Sequence, residues 1–330
     1  MTRLLIYAPA YAPVAAEIDR LAPDLDVLVM DDAGAITLRG SPVDAADAAP
    51  DIVWGDHLAF LGPASRAFAS AMLRSPALTW VQSAAAGFDH PMFRQIVAKG
   101  ARLSVSHGQA VGIADYVLWG VLDHFQNGDG WRADQAARVW RQRGFREVMG
   151  SNWLIVGFGA IGQGVAVRAR AFGASVTGVR RDQSPHPLAD RLGTLADLPA
   201  LAPLADVVVL CAPLGPATRR LADAAFFAAM KPGSVLVNVG RGALVDEAAL
   251  LAALEAGTPE HAVLDVFAVE PLPRESPFWS HPRVSLTPHA SGMTGGQNSR
   301  NRELFLDNLA RFVSGRPLLN LADPADVLAE

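Results

Sequence analysis

A single cysteine, Cys211, is the only thiol in these 330 residues, so no internal disulfide can form and no cysteine-based zinc cage is available. That scarcity fits a reducing compartment. Long apolar runs are also missing, since no window approaches the ~18 uninterrupted residues that a membrane span requires. Nor is there an excess of positive charge: 28 Lys and Arg face 33 Asp and Glu, for a net charge of −5. A chain so balanced is not built to grip a phosphate backbone, and nucleic acid is not an expected partner. Low-complexity segments are absent, as is any repeat longer than one strand-plus-helix unit. The opening "MTRLLIYAPAYAPVAAEIDR" has the basic residue, apolar run and small residues of an export signal, but Pro9 and Pro13 interrupt it. "RLLIYA" reads better as a first buried strand, and the expected location is the cytoplasm.

Apolar side chains are abundant, at 51% of the chain, enough to fill more than one core. A length of 330 residues exceeds what one core usually organises, so two domains are expected. Short apolar runs at Leu4–Ala8, Val27–Met30, Ile52–Trp54 and Leu78–Gln82 read as strands, with helical stretches such as Val14–Leu21 and Ala64–Leu73 between them. A long apolar helix over Ile113–Phe125 and the polar stretch "QNGDGWRADQAARVWRQRG" follow. The alternation then resumes with strands at 153–156, 175–179, 207–211, 235–239, 262–266 and 284–286 and helices at 161–172 and 246–256. "DVVVLCAP" and "SVLVNVG" are continuous Val/Leu runs, the mark of parallel strands covered on both faces. The expected fold is α/β, with a doubly wound parallel sheet in the second half. A last helix over Gln297–Val313 is free to cross back to the first half.

"LIVGFGAIGQG" runs a buried strand into Gly157, Gly159 and Gly162, a G-x-G-x-x-G turn that opens a helix. The first glycine makes the tight turn, the second lets a pyrophosphate approach the backbone, and the third lets helix and strand pack closely. The helix N-terminus then offers unpaired N–H groups and a favourable dipole to the phosphates. With a strand before it, a helix after it and a second strand about 20 residues on, the turn predicts dinucleotide binding. That second strand, "SVTGV", ends not in the carboxylate that would accept from the ribose hydroxyls but in Arg180-Arg181. A guanidinium pair suits the extra phosphate of NADP(H), so NADP(H) is the expected cofactor, with NAD(H) in second place.

Three polar residues follow later strands: Arg241 in "VNVGRGALVD", Glu270 in "LDVFAVEPLP" and His289 in "VSLTPHASG". Ligands in such sheets bind at the carboxyl ends of the strands, where all three converge. These segments, with "GFGAIGQG" and "CAPLGPATRRLADAAFFAAMKPG", resemble in order and spacing the D-2-hydroxyacid dehydrogenase family, particularly its glyoxylate/hydroxypyruvate reductase branch. The likeness is strong from about residue 108 to 292. It is weaker in the first hundred residues, where "VQSAAAGFDH" still looks like the family's substrate loop.

What the resemblance implies agrees with what these residues can do unaided. Reduction of a 2-oxo acid places negative charge on the carbonyl oxygen beside a carboxylate. The planar fork of Arg241 suits the carboxylate and polarises the carbonyl. A protonated His289 delivers the proton, and Glu270 orients its ring and stabilises its cation. Substrate contacts are expected from the backbone of Ala85, Ala86 and Gly87, and from Trp279 as a cover. Around the cofactor the expected residues are Gly157, Gly159, Ala160, Ile161, Gly162, Arg180, Arg181, Pro213, Thr218, Val239, Gly240 and Asp265, with Asn238 pinning the Arg241 loop. The family position that Asp265 matches bonds the nicotinamide amide. Asp115 stands where the family more usually has Glu.

The resemblance further implies a substrate domain of residues 1–107 and 290–330, a cofactor domain of residues 108–289 inserted into it, a site in the cleft between them and a homodimer. The expected reaction is NADPH-dependent reduction of a small 2-oxo acid to the D-2-hydroxy acid. Two alternatives stay open: a same-fold dehydrogenase acting on formate, phosphite or another small anion, and a non-catalytic dinucleotide sensor like the family's corepressors. His57, His107 and His124 have no partners at metal-ligand spacing and read as structural or surface groups, so no metal is expected.

Overall fold

The computed structural model describes residues 1–329; Glu330 lies outside the described residues. Two compact units emerge, Met1–Gly108 together with the chain from Gly295 onward, and Gln109–Thr294.

The first unit carries strands β1 (Arg3–Tyr7), β2 (Asp26–Met30), β3 (Ile36–Leu38), β4 (Ser41–Val43), β5 (Ile52–Gly55), β6 (Trp80–Ser83) and β7 (Arg102–Ser104). They lie in the order β4-β3-β2-β1-β5-β6-β7. The β2-β1-β5-β6-β7 part is parallel, as the strand-helix alternation predicts. The antiparallel edge hairpin β3-β4 is not in that reading. Its two-residue turn, Arg39-Gly40, has both residues at positive φ, 52° and 82°, which gives the backbone the twist a tight hairpin needs. The Gln297–Val313 helix packs on this unit's own sheet. Phe305 stacks on Trp54 with ring centroids 4.2 Å apart, and Asn308 Nδ2 donates to Gln82 Oε1 at 2.8 Å.

The second unit holds β8 (Asn152–Val156), β9 (Ser175–Val179), β10 (Arg191–Gly193), β11 (Val207–Leu210), β12 (Val235–Asn238), β13 (His261–Leu264) and β14 (Val284–Leu286). All are parallel in the order β10-β9-β8-β11-β12-β13-β14, so the chain reverses direction across the sheet next to β8. Val207 to Leu210 are fully buried because both faces are covered. Trp153, Ile155, Val209, Val237 and Val263 meet the helices Ala110–Phe125 and Ala160–Ala171, while Leu154, Val156, Val208, Leu236 and Leu264 meet Ala224–Ala229 and Glu247–Ala256. Each such side chain contributes about 1.5–3 kcal/mol on leaving water. Gly120 lets the 110–125 helix lie against β13, since a Cβ there would fall 2.7 Å from Val263 Cγ1. An alanine at that point would force the two apart.

Residues 290–294 belong with the second unit, beyond the expected end at 289. The Asp265 carboxylate accepts from the Ala290 and Ser291 amides, and Thr294 Cγ2 fills the space a Cβ on Gly112 would need. The polar stretch after the 110–125 helix contains a helix, Gly128–Ala137, with no apolar stripe to announce it. Arg132 holds it, forking onto both Asp123 oxygens at 2.8 and 2.7 Å and onto Asp129 at 2.7 Å. Among the described residues no helix is long and apolar enough to cross a membrane.

Candidate active site

The carboxyl ends of β11, β12, β13 and β14 are in register, with Leu210 beside Asn238, Asn238 beside Leu264 and Leu264 beside Leu286. Whatever follows these strands therefore emerges along one edge of the sheet. At the neighbouring end of β8, Gly157 sits at φ +101°, and a Cβ there would strike the Ala212 backbone nitrogen at 2.4 Å. Gly162 admits no Cβ either, which would fall 2.2 Å from the Gly157 carbonyl oxygen. Gly159 differs, with no atom within 4 Å of where its Cβ would point. The turn is thus closed by its first and third glycines and open at its second, and the amides of Ala160, Ile161 and Gly162 head the Ala160–Ala171 helix. These features fit a pyrophosphate. Cys211 is part of this turn: its thiol donates to the Gly157 carbonyl at 3.0 Å, and burial pushes it up to about 12.

Arg180 directly follows β9. Its Nη2 donates to the Ser184 carbonyl at 2.6 Å and lies 3.4 Å from Asp182 Oδ2. The Nε of Arg180 is buried without a hydrogen-bond partner, and Arg181 is exposed. The loop thus holds one guanidinium at the strand end, with a donor unspent.

After β12, Asn238 brackets the next turn, its Nδ2 donating to the Arg241 carbonyl at 3.1 Å and its Oδ1 accepting from the Gly240 amide at 3.2 Å. Arg241 Nη1 donates to the Gly240 carbonyl at 2.8 Å. The Val239 amide is spent on the Leu210 carbonyl. Gly240 and Gly242 let the loops nest. A Cβ on Gly240 would meet the Ala212 carbonyl oxygen at 3.1 Å, and one on Gly242 would overlap the Phe267 backbone. The same Phe267 donates its amide to Glu270 Oε1 at 2.9 Å, and Glu270 Oε2 pairs with His289 Nδ1 at 2.8 Å. A carboxylate only accepts, so Nδ1 carries hydrogen and donates, and Nε2 is the ring atom left for other chemistry. The His289 side chain is 51% exposed, so Nε2 is open to a ligand or to solvent.

His289 also has φ +53°, a left-handed backbone that costs a non-glycine residue on the order of 1–3 kcal/mol. Asp265 supplies the compensating contacts. Its carbonyl accepts from the His289 amide at 2.8 Å, and its buried carboxylate accepts from the Thr287 hydroxyl at 2.6 Å, the Ala290 amide at 2.8 Å and the Ser291 amide at 3.1 Å. Nothing in the spacing of the sequence marks Asp265 as the centre of this collar.

Other expected site residues are placed differently. The Thr218 hydroxyl turns into its own loop, donating to the Pro213 carbonyl at 2.7 Å and accepting from Gly215. It closes the loop behind exposed Pro213 and is not offered outward. Trp279 is 52% exposed and ties its Nε1 to the Pro273 carbonyl. In the first unit the Ala85 amide is taken by Ser83 Oγ at 3.0 Å, so Ala85 does not share the donor role expected of Ala86 and Gly87. His124 is stacked on His261, with ring centroids 4.3 Å apart.

Comparison with known proteins gives this geometry its family. The model for the "D-isomer specific 2-hydroxyacid dehydrogenase, NAD binding domain" matches residues 118–291. Among curated relatives, glyoxylate/hydroxypyruvate reductase B of Klebsiella pneumoniae (strain 342) is 30% identical over 279 residues, 80% of this chain and 84% of the relative. The (S)-sulfolactate dehydrogenase of Chromohalobacter salexigens is 34% identical over 222 residues, 66% of this chain and 71% of the relative. Among solved structures, the NADPH-dependent glyoxylate/hydroxypyruvate reductase of Sinorhizobium meliloti, in complex with NADP and sulfate, aligns with a TM-score of 0.75 and 26% identity over 99% of this chain and all of the other. The chain belongs to the D-isomer specific 2-hydroxyacid dehydrogenase family of oxidoreductases.

Proposed function

We propose that this protein reduces a small 2-oxo acid of the glyoxylate or hydroxypyruvate kind to the D-2-hydroxy acid, preferring NADPH. The observation that carries the reading is the His289–Glu270 pair at 2.8 Å, at the same carboxyl end of the sheet as Arg241 and the glycine turn. Gly157, Gly159 and Gly162 with the amides of Ala160 and Ile161 hold the pyrophosphate, and Pro213, Val239 and Gly240 follow strands at the same end of the sheet, with Thr218 closing the loop behind Pro213. A bound nicotinamide supplies the hydride that reaches the carbonyl carbon.

The chain's own residues do the rest. Arg241 grips the substrate carboxylate and draws electron density toward the carbonyl oxygen. His289, its ring fixed by Glu270 through Nδ1, gives the Nε2 proton to that oxygen as negative charge develops there. Its exposure lets solvent restore the proton. Asp265 holds the His289 loop and keeps Oδ2 acceptor capacity for the nicotinamide amide. Trp279, its Nε1 tied to the Pro273 carbonyl, limits the substrate's far end. Support for a homodimer comes from exposed aromatic surface on the second unit, at Trp119, Trp140 and Phe145.

The preference for NADPH rests on Arg180 and Arg181 standing where a ribose-binding carboxylate would otherwise be. It is supported by the NADP bound in the S. meliloti reductase. Oxidation of NADPH and NADH is to be followed with glyoxylate, hydroxypyruvate, pyruvate and phenylpyruvate side by side, in the parent and in Arg180→Asp. At least one of these acids should be turned over faster with NADPH, and Arg180→Asp should reverse the preference. No turnover with any of the four would contradict the substrate class. An unaltered cofactor ratio in the variant would remove Arg180 from the phosphate site.

A further inference from the structure

The left-handed backbone of His289 is held by Asp265, and Asp265 is in turn held from the 110–125 helix. Thr287 Oγ1 lies 2.6 Å from Asp265 Oδ1 and 2.7 Å from the Tyr116 hydroxyl. A threonine hydroxyl has one hydrogen and a carboxylate only accepts, so Thr287 donates to Asp265 and must accept from Tyr116. The direction of the chain is therefore fixed: Tyr116 to Thr287 to Asp265. Burial, with the charge of Asp265 assisting, pushes the Tyr116 hydroxyl up to about 12, so it stays a donor through the neutral range.

The helix that carries Tyr116 is braced against the helix that follows the glycine turn. Gly164 lets the two approach, with the position of its absent Cβ 3.2 Å from Ala114 Cβ, and Arg168 Nε donates to Asp115 Oδ1 at 2.6 Å. Asp115 thus ties the two helices together one residue before Tyr116.

We propose that Tyr116 is a positioning residue for the reaction, its hydroxyl acting through Thr287 on the Asp265 collar that sets the ring of His289. The proposal rests on the proposed role of His289 as proton donor. Each hydrogen bond in the chain restricts where the collar can sit, and a displacement of about 1 Å at a reacting group can cost on the order of 100-fold in rate. Truncating the chain should therefore reduce kcat and spare the binding of dinucleotide and substrate.

The experiment compares the parent with Tyr116→Phe, Thr287→Val and Thr287→Ser. For each, kcat and KM with a 2-oxo acid, the Kd for NADPH by fluorescence, the melting temperature, and the NMR signals of the His289 ring without dinucleotide are measured. The ring signals are assigned by their loss in His289→Ala. Thr287→Val should lower kcat by about tenfold or more and Tyr116→Phe by a smaller factor. KM and Kd should stay within about twofold, the His289 signals should move, and Thr287→Ser should restore both rate and signals. Unchanged kcat and signals in Thr287→Val and Tyr116→Phe would overturn the proposal, as would equal losses of kcat, binding and melting temperature that Thr287→Ser does not repair. If the parent turns over no 2-oxo acid, the proposed function fails separately. The His289 signals then decide the hydrogen-bond chain by themselves, moved and restored in its favour or unmoved against it.

Discussion

His261 opens one strand of the second sheet and His289 follows the strand beside it, so the two lie at opposite ends of the sheet. His289 follows β14 at the carboxyl edge, half exposed, its Nδ1 on a carboxylate and its backbone in a left-handed conformation. His261 opens β13 at the amino edge, 5% exposed, its Nε2 2.9 Å from Ser285 Oγ and its ring stacked on His124. Burial, with the neighbouring His124 adding to it, pushes His261 down to about 4. One imidazole is half open and paired with a carboxylate, as the proposed proton donor requires; the other is kept neutral as packing. Residue type says nothing about which is which. The strand end, the partner and the exposure do.

The contrast can be broken first at the carboxylate. Glu270→Gln keeps the shape beside His289 and removes the charge, and kcat should fall on the order of 100-fold, with NADPH affinity retained. A rate close to the parent's would mean that Glu270 is a turn residue and that the two histidines differ only in exposure.

Acid sharpens the contrast from the other side. His261 has a folded midpoint of about 4 against the ordinary 6.5, so between those values the folded chain holds fewer protons than the unfolded one. Stability should fall as pH drops through that window, by up to about 3 kcal/mol from this group, and this group should contribute no slope above it. Burial lowers His124 as well, adding in the same direction. Denaturant midpoints from pH 7 to 4 in the parent and in His261→Asn measure this. Parallel curves for the two would show that His261 is not the buried neutral base described here.

Much of this architecture was legible in the sequence. The second sheet was readable because its strands are covered on both faces, so "VVVL" and "VLVN" are apolar at nearly every position. The glycine turn was readable because close approach at Gly157 and Gly162, with positive φ at Gly157, leaves no room for another residue type. Arg241, Glu270 and His289 could be singled out because they follow strands of a parallel sheet, whose carboxyl ends are where ligands bind, and the structure pairs two of them. The β3-β4 hairpin was hidden because its strands have three residues each and an arginine takes a left-handed turn position. The 128–137 helix was hidden because a charge fork holds it in place of an apolar face. The Tyr116–Thr287 contact joins residues 171 apart in the chain, and no local spacing rule points to it. Asp265 was noticed for a ligand contact, whereas its buried oxygens are largely committed to the loop that carries His289.

The role given to His289 is best judged by its truncation beside that of its buried counterpart. In single-turnover reduction of the best 2-oxo acid, with NADPH saturating, His289→Ala should be slower than the parent by ~100-fold or more, while His261→Asn stays close to it. A His289→Ala rate near the parent's, or a loss matched by His261→Asn, would show that the proton reaches the substrate from elsewhere.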